Sequence, residues 1–160
     1  MLGGALGAAA FVAWQVQGRL PAPAGTSAFR PAAFRPWQLR TLEQACRVFL
    51  DDVDAGTTTA QVLDGYFAGA GADQAADLAL ALGVLEFLPA GALSPRRFSR
   101  LSLEDASIVL ASWERSSLGV RRQIAKALRD AARFTWFARE ETWADMGYDG
   151  TWIGRAGRGG

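Results

Sequence analysis

Histidine is absent from this 160-residue chain, and cysteine and lysine occur once each. Without imidazole there is no Ser-His or Cys-His nucleophile and no His-containing zinc site. A single Cys46 builds neither a cysteine cluster nor an internal disulfide. It falls in the stretch Leu42, Ala45, Cys46, Phe49, Leu50, whose spacing is that of an apolar helical stripe, so it reads as a buried structural thiol. A charge excess is missing too, since 17 basic against 16 acidic side chains leave a net +1 and no nucleic-acid motif is present. Binding to nucleic acid is therefore not expected. Gly3-Gly4 and Gly69-Ala-Gly71 lack both the preceding strand and the spacing of a nucleotide-binding fingerprint, so no cofactor site is expected in this chain. The acidic residues fall mostly on helical faces and read as solvated surface.

What is present begins with an apolar run. Residues Leu2 to Val16 hold no charge and one polar side chain, Gln15. The run is short for a bilayer span, which takes roughly 20 residues, and suits the roughly 7 to 15 of a secretory core, with Ala22-Pro23-Ala24 downstream as a cleavage site. Residues 1–17 are thus an export signal, a retained membrane-anchor helix or an internal core helix. Residues 18–35, with Pro21, Pro23, Pro31, Gly18 and Gly25, read as a Pro/Gly-rich linker.

From Pro36 the apolar positions recur every three or four residues and nothing alternates as a half-buried strand does, so the expected fold is all-α. A small helical bundle over residues 36–153 would follow the apolar N-terminal helix, with a Gly/Arg tail at 154–160. Half of the residues are hydrophobic, enough for a core without disulfide or metal. One helix should start at Pro36, expose Trp37, Leu39, Leu42, Cys46, Phe49 and Leu50 to the core, and run to about Val53, where the Asp-rich end and Gly56 stop it. Thr58 to Gln61 has the spacing of a capping box for the next helix. Asp73 opens a third, ending at Phe87 before Pro89 and Gly91. After a basic connector, Ser94 to Arg100, Ser102 caps a fourth with Leu103, Ala106, Val109, Leu110 and Trp113 on one face. A last long helix should turn Val120, Ile124, Ala127, Leu128, Ala131, Phe134 and Ala138 inward, and Arg121, Arg122, Lys126, Arg129 and Arg133 outward.

Residues 41–94 carry eight acids against Arg47, whereas 95–139 carry ten bases against four acids. Attraction between the halves or toward an acidic partner accounts for this. Aromatic side chains crowd the C-terminal end. Trp136, Phe137, Trp143, Tyr148 and Trp152 fall within seventeen residues, around the turn Gly147-Tyr-Asp-Gly150. Gly147 and Gly150 supply backbone freedom, Asp149 favours the turn and Tyr148 offers a flat ring. An aromatic cluster beyond what the bundle can cover marks a protein interface. The candidate partner interface is therefore Trp136, Phe137, Trp143, Gly147, Tyr148, Asp149, Gly150 and Trp152.

Three segments together resemble a known family. They are Pro36-Trp-Gln-Leu-Arg-Thr-Leu-Glu-Gln-Ala45, Phe98-Ser-Arg-Leu-Ser-Leu-Glu-Asp105 with its helix to Trp113, and Phe134-Thr-Trp-Phe137 running through Trp143 to Gly147-Tyr-Asp-Gly150. The pattern resembles gluconate 2-dehydrogenase subunit 3, the small subunit of FAD-dependent membrane-bound sugar and alcohol dehydrogenase complexes. The resemblance implies a non-catalytic chain that assembles, escorts or anchors a large FAD-dependent dehydrogenase subunit of the glucose-methanol-choline type. It implies FAD in that partner, haem or iron-sulfur in other subunits such as a cytochrome c, and a site on the periplasmic face of the bacterial inner membrane. Residues 2–16, if retained, would contact the membrane. Two positions depart from the family's habit: no Arg-Arg pair precedes the apolar run, and Thr151 follows Gly150 where Pro is common. The alternative is a free-standing α-helical adaptor or assembly chaperone for an unrelated protein.

Overall fold

A computed structural model describes residues 29–87, 96–139 and 142, whose regular elements are all helices, with no strand among them. The elements are α1 (Pro36–Leu50), α2 (Val53–Gly69), α3 (Ala72–Phe87), a 3-10 turn (Phe98–Arg100), α4 (Leu103–Glu114) and α5 (Gly119–Phe137). The apolar run at residues 2–16 lies outside the described residues, and with it the choice between export signal, anchor and core helix. Among the described residues no helix is long and apolar enough to cross a membrane.

Helix α1 is the hub, packing most extensively on α2 and also against α3, α4, α5 and the 3-10 turn. Pro36 fits its first turn because the missing amide would have had no helical partner. The Gln38 side chain accepts the Arg35 amide at 2.8 Å. Neighbours on several sides explain why α1 buries polar residues, Gln38, Thr41 and Gln44, beside Leu42, Ala45 and Cys46, while Trp37, Leu39, Phe49 and Leu50 are only half-buried. The helix ends earlier than its sequence suggests. Asp51 takes a left-handed conformation, φ 52°, and Asp52 caps α2 by accepting the Ala55 amide at 2.8 Å. The expected capping box at Thr58–Gln61 is therefore inside α2.

Gly56 also lies inside α2 instead of stopping α1. A Cβ placed on it would sit 2.5 Å from the Arg47 amide nitrogen and 2.6 Å from its Cα, so the glycine is what lets the two helices approach. Beside it Arg47 pairs with Glu43 and donates to Thr57 Oγ1 at 3.1 Å, and Thr57 donates to Glu43 at 2.8 Å.

Two buried carboxylates tie irregular chain to this frame. Asp64 on α2, 0% exposed, accepts the consecutive amides of Ala32, Ala33 and Phe34 at 2.6, 3.1 and 2.9 Å. The end of the stretch read as linker is thereby fastened to the bundle, and Phe34 joins the core, its ring 5.7 Å from that of Phe67. Glu86 on α3 accepts Ser99 through its amide at 2.9 Å and its hydroxyl at 2.8 Å, and lies 2.9 Å from the Thr41 hydroxyl. The basic connector is accordingly part of the core at Phe98, which is completely buried.

Ser102 caps α4 as its sequence indicates, accepting the Asp105 amide at 3.0 Å, and Ala106, Val109, Leu110 and Trp113 are buried. Leu103 of the same expected face is exposed. On α5 the buried arc is Ile124, Ala125, Leu128, Ala132 and Thr135, so Val120 and Ala127, expected inside, face solvent. Contact with α1, α2 and α4 sets that arc. Alanines lie on both candidate arcs, and periodicity could not choose between them.

Candidate partner interface

The basic helix α5 spends most of its charge inside the molecule. Arg129 meets Glu114 at 2.6 Å, Lys126 pairs with Asp130, and Arg122 donates to the carbonyls of Ser116 and Ser117 at 2.5 and 3.0 Å, holding the turn before α5. Arg121 sits over the Trp113 ring at 5.4 Å. All of these partners lie within residues 95–139, so these ion pairs of α5 do not join the basic half to the acidic one.

The aromatic end of α5 is different. Its last turn closes through the Ala138 amide to Phe134 at 2.9 Å, and the Thr142 hydroxyl, buried, reaches the carbonyls of Arg139 at 2.7 Å and Trp136 at 3.2 Å. The backbone carbonyls at the helix end are thus met by a side chain that folds back on them. The Arg139 guanidinium covers the half-buried Trp136 ring at 4.9 Å, while Phe137 stays 49% exposed. Of the expected interface residues, two are thus described at the end of α5, Trp136 half-buried under Arg139 and Phe137 49% exposed. Trp143, Gly147, Tyr148, Asp149, Gly150 and Trp152 lie outside the described residues.

A second apolar surface went unnoticed in the sequence. On α3 only Leu82, Leu85 and Glu86 are buried, whereas Leu80 and Phe87 are 60% and 55% exposed. The Phe87 ring lies 5.4 Å from that of Trp37, with the Arg97 guanidinium 5.3 Å above it. The spacing of Leu78, Leu82 and Leu85 marks the side of α3 that docks on α1, where Leu82 and Leu85 are buried and Leu78 packs on the core; the exposure of Leu80 and Phe87 is decided by that docking.

Between α1, α4 and α5 runs a shallow groove of about 210 Å³, floored by Val48, Phe49, Leu110 and Ala111 and edged by Arg129 and Arg133. That is below the roughly 300 Å³ at which small-molecule sites begin. Cys46 is buried beneath α1, and burial, with Glu43 adding to it, pushes its thiol far above the ordinary range, so it carries no nucleophile. Among the described residues no group of three His, Cys, Asp or Glu side chains is placed to hold a metal ion. Comparison with family models, with curated proteins and with solved structures finds no match to this chain.

Proposed function

We propose that this chain is a non-catalytic small subunit of a periplasmic, membrane-associated FAD-dependent dehydrogenase complex, related to gluconate 2-dehydrogenase subunit 3. It holds the large flavoprotein subunit through the aromatic end of α5 and the turn beyond it, and assists that subunit's assembly, export or anchoring. The flavin belongs to the partner, and electrons leave the complex through a cytochrome subunit.

The observation that supports this best is Phe137. It stands half-exposed beside a Trp136 already shielded by Arg139, next to the segment in which the family resemblance is most specific. Large aromatic side chains left at a surface are the usual anchors of protein interfaces. The absence of histidine and the burial of the one thiol fit a chain that works through contact.

The test is co-expression with a large flavoprotein dehydrogenase subunit and affinity purification from membranes, scored by flavin absorbance in the eluate and by intact mass. Phe137→Asp, and separately Trp143→Ala with Tyr148→Ala, should release the flavoprotein while circular dichroism stays unchanged. Equal flavin recovery with folded variants would remove the proposal, and a chain that purifies alone would favour a free-standing adaptor.

A further inference from the structure

The outer face of α3 is open at its middle, at Ala76 and Leu80, while Trp37 flanks it at Gly83 and Phe87, and Val84 is partly packed on the core. Asp73, Ala76, Asp77, Leu80, Gly83, Val84 and Phe87 fall on one side of the helix by their spacing, opposite the buried Leu82, Leu85 and Glu86. Leu80, the most exposed large apolar side chain of α3, stands at the midpoint of the sixteen-residue helix.

We propose that this face pairs with the same face of a second copy of the chain, with the two α3 helices antiparallel about a two-fold axis at Leu80. The helix is self-complementary in that direction only. Its first half is small and acidic, with Ala76 between Asp73 and Asp77; its second half is large, with Val84 and Phe87, and carries the cation Arg97 above the Phe87 ring. Reversing one copy places Val84 against the partner's Ala76, and Phe87 with Arg97 against the partner's Asp73. A parallel pair would set Asp73 against Asp73 and bulk against bulk. Isologous contact of this kind closes on itself and leaves no sticky end.

The size of the face sets the strength of the pairing. A helix of this length is about 24 Å long, so the strip covers a few hundred Å2, short of the roughly 800 Å2 per partner of a standard stable interface. Pairing over so small a face is reversible, and it is independent of whether the flavoprotein assignment holds.

Sedimentation equilibrium of the full chain, from about 1 to about 200 µM, should show a mass rising from 17.1 kDa toward its double. Leu80→Glu, at an exposed site, should raise the dissociation constant at least about tenfold. Asp73→Arg should weaken association, and adding Arg97→Asp should restore it. Leu80→Cys should oxidise to a symmetric disulfide dimer, with Cys46 too buried to compete. A 17.1 kDa mass over the whole range overturns the proposal, as does association that Leu80→Glu leaves untouched. So does a monomer whose Leu80→Glu variant loses a different protein, because the face then belongs to that partner.

Discussion

Replacing Asp64 by alanine isolates the device that holds residues 32–34 on α2. The carboxylate is wholly buried and accepts three amides, of which that of Phe34 is itself buried and those of Ala32 and Ala33 are partly open to water. Loss of a hydrogen bond to a charged acceptor costs about 1.5–3 kcal/mol where the donor stays dry, and less where water replaces it. If the segment lifts away instead, Phe34 gives up its burial, about 2–3 kcal/mol. Together the two routes bracket the cost of Asp64→Ala at about 2–5 kcal/mol. In urea, with a slope of about 1–2 kcal/mol/M, the midpoint should fall by roughly 1–3 M at unchanged slope. Because that is a large share of a domain's stability, Asp64→Asn is the companion variant. It keeps one acceptor oxygen and should lose about half as much, and hydrogen exchange at Ala33 and Phe34 should accelerate in both. An Asp64→Ala protein within about 1 kcal/mol of the parent would refute the reasoning, as would unprotected Ala33 and Phe34 amides in the parent.

Gly56→Ala should destabilise by about 2–4 kcal/mol, since its Cβ meets the Arg47 backbone, whereas Gly69→Ala, with nothing within 4 Å, should be neutral or gain up to about 1 kcal/mol; thermal melts compare them directly. Cys46 binds its proton more tightly folded than unfolded, so stability is unaffected below the ordinary thiol value near 9.0 and declines above it, by up to about 1.4 kcal/mol per pH unit. Cys46→Ala should remove that part of the alkaline slope in urea titrations at pH 8 and 10, and native Cys46 should resist alkylation until the chain unfolds. Thr59 and Thr135 bury hydroxyls that have no hydrogen-bond partner, so Thr59→Val and Thr135→Val should each raise stability by about 1 kcal/mol, read as a higher melting temperature.

Much of the bundle can be read in the sequence because helix signals are local. Pro36 at a first turn, Ser102 as a cap and the stripe Leu103, Ala106, Val109, Leu110, Trp113 each depend on residues within a few positions, and each stands as expected apart from Leu103, which is exposed. The errors fall where a distant residue decides. Gly56 reads as a terminator until Arg47 is known to lie against it. Asp64 and Glu86 read as solvated acids until the amides of residues 32–34 and Ser99 are brought over them. Of the candidate interface, Trp136 and Phe137 are legible as an aromatic cluster, but only packing shows that Arg139 lies over the Trp136 ring and that Phe137 is half-exposed.

By itself the sequence determined the all-helical character, the position of most helices and the absence of histidine, because these follow from composition and three-to-four-residue spacing. Tertiary structure alone decided which carboxylates are buried and which apolar residues stay outside. Leu82 and Leu80 carry the same side chain on the same helix, and only the contact of α3 with α1 sends one into the core and the other into water.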